Sequence, residues 1–158
     1  MVKKTYNRFS RGLSIIETVI AIVIIALAVL GTISLRYQST LDTRRAEVGT
    51  AASRVALMLT ETWRGLQGSE TFNPLALLST ELEIQTGGGP AEPNGFTLLG
   101  NYLVELKNVS YYTTLSYKDI NSSLRALNVT VAWEQRGTED AALDGSDKTF
   151  ILTTYAEK

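Results

Sequence analysis

The sequence contains no cysteine and no histidine, and only three prolines in 158 residues. Each absence removes a class of answers. Without thiols there is no disulfide to brace an exported domain, no thiolate nucleophile and no zinc cage. Without imidazole there is no histidine base and no histidine metal ligand. Catalysis by carboxylates alone, or by Ser and Lys, stays chemically open, but no spacing of those residues points to it. The chain therefore reads as a non-enzyme, with no catalytic, cofactor-binding or metal-ligating residues and no cofactor. Proline is absent before Pro74, so no proline breaks a helix upstream of it.

What is present is a sharp asymmetry of charge. Met1 to Gly12 carries Lys3, Lys4, Arg8 and Arg11, and an apolar run from Leu13 through Leu30 follows with a single acid, Glu17. A carboxylate inside a membrane-length apolar segment costs about 2.5–3.5 kcal/mol at the helix centre and less near an end. Something must compensate it. Cleavage between Gly12 and Leu13 would create an α-amine, with an ordinary pKa of about 8, one helical turn from Glu17. The partner is then either the chain's own new N-terminus or that of a neighbouring copy. In the second case the pairing fixes the axial stagger between apolar helices that would otherwise slide.

These residues resemble the prepilin signature of type IV pilins and pseudopilins: a short basic leader ending in Gly12, a large apolar residue at Leu13, then Glu17 within an apolar helix. The resemblance implies cleavage after Gly12 by a membrane-embedded prepilin peptidase, N-methylation of Leu13, and a role for Glu17 in guiding assembly. Leu13 departs from the more usual phenylalanine. The absence of cysteine departs from the many major pilins that close a C-terminal loop with a disulfide. The strand pair beginning Val129-Thr-Val-Ala-Trp-Glu and Phe150-Ile-Leu-Thr-Thr is similar to the last two strands of PilV-type minor pilins and the corresponding minor pseudopilins of type II secretion.

Two plainer explanations compete. Ala26-Leu27-Ala28 is an A-x-A site of the kind a secretory signal peptide uses, yet the apolar run continues past it and Glu17 would interrupt the signal's core. A plain single-span anchor accounts for Leu13 to Leu35, which at about 35 Å of helix covers a hydrocarbon layer of about 30 Å. It leaves Glu17 unexplained. On either alternative the leader positives hold the N-terminus in the cytoplasm. Losing those four of 15 basic residues leaves 11 against 16 acidic ones, an acidic mature chain without the footprint of nucleic-acid binding.

The organisation follows from periodicity. Residues 1–12 are the leader, 13–35 the transmembrane or filament-core half of a first helix, and 36–66 its amphipathic half. In the latter, Tyr37, Leu41, Val48, Ala52, Val55, Leu59, Thr62 and Leu66 fall on one stripe, widened by Met58 and Trp63. The helix is expected to stop between Gly65 and Gly68. Gly31 is the only glycine of the apolar half, and marks either a point of close helix packing or a place where the helix loosens.

Residues 67–95 form a connecting loop in which Pro74-Leu-Ala-Leu-Leu-Ser suggests a helical turn and Glu81-Leu-Glu-Ile a short strand or turn. Gly87-Gly-Gly-Pro90 is not a phosphate loop, because no Lys-Ser or Lys-Thr follows it. It reads as a flexible surface segment. Residues 96–158 form an antiparallel sheet domain of about four strands, near 102–107, 109–117, 124–135 and 148–155. The third alternates Leu127, Val129, Val131 and Trp133 against Asn128, Thr130 and Glu134, which predicts one buried and one solvated face. The fold class is α+β and pilin-like, the sheet covering the amphipathic half of the helix.

Smaller features add little chemistry. The acidic stretch Glu139–Asp147 lacks the ligand alternation of a calcium loop. Asn108, Asn121 and Asn128 sit in sequons that occur often by chance. Trp63 and Trp133 have core spacing, while Tyr111, Tyr112 and Tyr117 form the tyrosine cluster expected to contact another subunit. The expected function is a structural subunit, a minor pilin or pseudopilin. Its partners would be prepilin peptidase, other subunits, an inner-membrane assembly platform and, before assembly, membrane lipid. The expected location is the bacterial inner membrane, single-pass with the C-terminal domain outside the cytoplasm, and then the filament. The alternative is a membrane-anchored periplasmic binding module whose helix is only a tether.

Overall fold

A computed structural model describes residues 15–134 and 147–158. The leader, its cleavage position Gly12–Leu13, and all of the acidic stretch except Asp147 lie outside the described residues. The chain divides into two compact units, Met1–Thr43 and Arg44–Lys158.

Helix α1 spans Ile15–Gly65. In the first unit every described residue through Thr40 is exposed. The threonine hydroxyls here return to the helix itself: Thr32 donates to the Val29 carbonyl at 2.8 Å and Thr40 to that of Arg36 at 2.9 Å. Such back-bonding satisfies a hydroxyl without water.

In the second unit α1 turns one face inward. Ala52, Val55, Ala56, Leu59, Thr60 and Trp63 are buried, so the expected stripe holds in its middle. Its two ends do not join it, since Tyr37 is 67% exposed and Leu66 lies beyond the helix end. The helix stops where the sequence indicates. Gln67 and Gly68 adopt φ of +54° and +64°, and the Leu66 and Gly68 amides both donate to the Trp63 carbonyl at 3.1 Å. This left-handed exit satisfies a terminal carbonyl of α1. It also turns the chain so that Trp63 stacks on Phe72, centroids 5.6 Å apart, and donates Nε1 to the Ser69 carbonyl at 2.9 Å.

The short helix α2, Pro74–Leu78, is capped by the Asn73 side chain, which accepts from the Leu75 amide, with Pro74 in the first turn. Among the described residues five strands follow: β1 Glu83–Thr86, β2 Thr97–Leu106, β3 Val109–Asp119, β4 Leu124–Trp133 and β5 Lys148–Glu157. They form one antiparallel sheet in the order β1-β2-β3-β4-β5, a meander with one more strand than expected. The addition is β1, within the connecting segment, where it overlaps the short strand or turn suggested for Glu81-Leu-Glu-Ile. Four residues are too few to display a period of two.

Register places Leu127 opposite Tyr117, Val129 opposite Leu115, and Val131 opposite Thr113. This face, extended by Tyr102 and Val104 on β2, joins the buried helix residues in one core. The other face of β4 is a correction to the sequence analysis: Asn128 and Thr130, expected to be wet, are only 2% and 4% exposed. They are buried because they satisfy each other. Thr130 donates Oγ1 to Asn128 Oδ1 at 3.0 Å, and Asn128 donates Nδ2 to Thr153 Oγ1 at 2.9 Å. The glycine segment is also no free loop. It lies on the outer face, where Thr114 donates Oγ1 to the Pro90 carbonyl at 2.6 Å and the Gly87 amide donates to the Asn101 carbonyl at 3.2 Å.

Candidate functional site

The most unusual surface is the apolar part of α1. None of its apolar residues from Ile15 to Leu35 is buried. Exposed isoleucine, valine and leucine follow one another from Ile15 to Leu35, around the whole helix rather than along one stripe. Nothing in water covers such a surface, and a helix apolar on all sides belongs in lipid or among other helices. The helix is long and apolar enough to span a membrane. Glu17 lies in its first turn and is exposed. At Gly31 an added Cβ would meet no atom within 4 Å, so this glycine leaves a notch on the exposed surface.

The three tyrosines do not share a surface. Tyr111 is 1% exposed on the helix-facing side, where its hydroxyl donates to the Val48 carbonyl at 3.3 Å. Burial raises its pKa above the usual tyrosine value. Tyr117, on the same face, lies under the guanidinium of Arg125, whose Cζ is 4.3 Å from the ring centroid. Tyr112 alone points to the outer face, as the alternation of a strand requires. The core spacing of Trp63 and Trp133 is reflected in their packing: Trp63 is fully buried, and half-buried Trp133 packs near Gly49 and Tyr111.

Sequence reasoning missed the charged cluster at the end of β4. Arg125 is 4% exposed and donates Nη1 to the Gly68 carbonyl at 2.9 Å, Nε to Asp119 Oδ1 at 2.6 Å, and Nη2 to Glu70 Oε1 at 2.5 Å. Lys158 joins Asp119 at 2.5 Å. The hydrogen bond from Arg125, and then that from Lys158, hold the Asp119 carboxyl down to about 2. Asp119 and Glu70 in turn raise the Arg125 pKa. The signal was present in the parity of the strand, because Arg125 shares the side of Leu127 and Val129. A guanidinium there must reach polar partners.

This cluster ties the exit of α1 to the far end of the sheet. Its charged groups are paired with one another. A shallow cavity lined by Glu83, Glu105, Lys107, Asn108 and Ser110 sets two carboxylates across β1 and β2. Among the described residues no group of three or more metal-ligating side chains occurs. No protein-family model, curated protein or solved structure matches this chain.

Proposed function

We propose that the chain is a structural subunit, a minor pilin or pseudopilin, of a type IV pilus or related secretion filament. The observation that carries this proposal is the wholly exposed apolar part of α1 with Glu17 in its first turn. Such a surface needs two environments in succession: lipid before assembly and sister helices after it. The second unit supports the same reading, since its antiparallel meander packs on the part of α1 that belongs to that unit, while the apolar residues of the first unit are exposed. Processing after Gly12 and methylation of Leu13 would supply the amine that pairs with Glu17. Prepilin peptidase, other subunits and an inner-membrane platform are the implied partners.

Two measurements test it. The intact mass and N-terminal sequence of protein from the native membrane should show a start at Leu13 carrying one methyl group. A start at Val29, or an uncut Met1, overturns the proposal. Glu17→Gln should remain in the membrane fraction yet be lost from sheared filaments. If the variant enters filaments like the parent, or if no filament contains the protein, the helix is a tether and the chain is a membrane-anchored binding module.

A further inference from the structure

Between Arg11 and Arg36 the sequence carries one charge, Glu17. Arg36 is therefore the first cation met on leaving the apolar segment, and the neighbouring Tyr37 is 67% exposed. Ser39 and Thr40, also exposed, follow directly. From Glu17 to Arg36 is 19 residues, or about 28 Å of helix. A hydrocarbon layer is about 30 Å thick, so the two charged side chains bracket it.

We propose that Arg36 and Tyr37 are an interfacial anchor for phospholipid headgroups, which keeps Glu17 at the opposite boundary until another subunit receives it. The inference rests on the membrane-inserted reading above. Arginine carries a planar donor fork that fits phosphate oxygens. Tyrosine places its ring in the acyl region and its hydroxyl among headgroups. Side chains adjacent in a helix diverge by about 100°, so the pair grips lipid on two sides and resists axial sliding in either direction. With the outer end fixed, the Glu17 carboxylate stays in reach of water at the inner boundary. Its removal from water is then deferred to the moment of assembly, when a paired amine offsets the cost. Arg36 and Tyr37 act on Glu17 only through the helix between them, as positioning residues.

The absence of native cysteine makes the test direct. Single cysteines at Leu30, Ile33, Ser39 and Thr40 in the full chain are exposed to a membrane-impermeant maleimide in spheroplasts. Ser39→Cys and Thr40→Cys should be labelled, whereas Leu30→Cys and Ile33→Cys should react only after detergent. Combining each with Arg36→Leu and Tyr37→Leu should move the boundary outward, with loss of labelling at 39 and 40. Unchanged labelling at 39 and 40 in that background, or ready labelling at 30, overturns the anchor. Alkaline carbonate extraction separates the two claims: release of the parent chain from the membrane sinks the membrane reading and the anchor with it, and retention with an unmoved boundary sinks the anchor alone.

Discussion

Arg125 and Asp119 face each other across β3 and β4 and form a fork-to-fork pair, Nε to Oδ1 at 2.6 Å and Nη2 to Oδ2 at 3.1 Å. The remaining Nη1 donor reaches Gly68, 57 residues away in sequence. One side chain thus fixes both the end of the β3–β4 hairpin and the turn that ends α1. Arg125→Ala removes the donor to a buried carbonyl and should destabilise the fold by about 1–3 kcal/mol. Arg125→Lys, which keeps the charge but not the fork, should recover part of this. Denaturant unfolding of the detergent-solubilised chain, followed by tryptophan fluorescence, measures both. Equal stability of the alanine variant and the parent would show that the tie contributes nothing.

The pH dependence follows from the same pair. The Asp119 carboxyl is held at about 2 against an ordinary value of 3.8. A depressed folded pKa contributes stability that is complete above the unfolded value and is lost as pH falls through the folded one. The contribution should therefore be constant above about pH 5 and disappear between about pH 4 and 2. Asp119→Asn should show less acid sensitivity across that window while being less stable at neutral pH. Parallel stability curves for the two proteins would contradict the assignment.

Much of this architecture was legible in the residues. The helix, its stop near Gly68 and the order of the major strands follow from unbroken period, glycine placement and alternation. What escaped detection depended on contacts between distant segments. Asn128 looks solvated because a strand's polar residues usually are, and only the approach of Ser116, Thr130 and Thr153 lets it be buried with partners. Gly87 and Gly89 look flexible, yet they are glycines because the segment passes too close to the sheet for side chains. The tyrosine cluster dissolves because residues 111 and 112 point to opposite faces. At Glu17 the sequence carries nearly all the argument, since its expected partner belongs to the new N-terminus or another chain.

Gly68 and Gly31 should respond oppositely to alanine. At Gly68 the backbone has φ of +64°, and a Cβ would stand 3.0 Å from Leu127 Cδ2 and 3.3 Å from the Ala156 Cβ. Both the conformation and the crowding oppose the substitution, so Gly68→Ala should cost about 1–3 kcal/mol. Gly31 is helical with open space around it, and Gly31→Ala should leave folding unchanged or raise helix stability by up to about 1 kcal/mol. Circular dichroism melting of the two variants in detergent distinguishes them.

A test of the outer face uses Gly89. An added Cβ there would come closer to Thr114 Oγ1 than such atoms approach, and 3.1 Å from Asn101 Oδ1. Gly89→Ala should lift the segment and release the Thr114 hydrogen bond to Pro90. Hydrogen exchange should then accelerate at Gly87, whose amide is bonded to Asn101, while β4 stays protected. Unchanged exchange at Gly87 would mean that the segment accommodates a side chain without moving.

The packing of Trp63 separates two contributions that one residue makes together. Its indole is fully buried, stacks within 9° of parallel on Phe72, and donates Nε1 to Ser69. Trp63→Phe keeps a ring to stack and loses the hydrogen bond, leaving the Ser69 carbonyl to find another donor. Its cost should be about 1–2 kcal/mol, combining that loss with a small void. Trp63→Ala leaves a cavity between α1 and the turn and should cost about 3–5 kcal/mol. If stacking and packing dominate, Phe72→Ala in the Trp63→Ala background adds little further, because the two rings have already lost each other. Additive losses in that double-mutant cycle would show that each ring is held independently by the sheet, and that the turn after α1 is not fixed by their mutual contact.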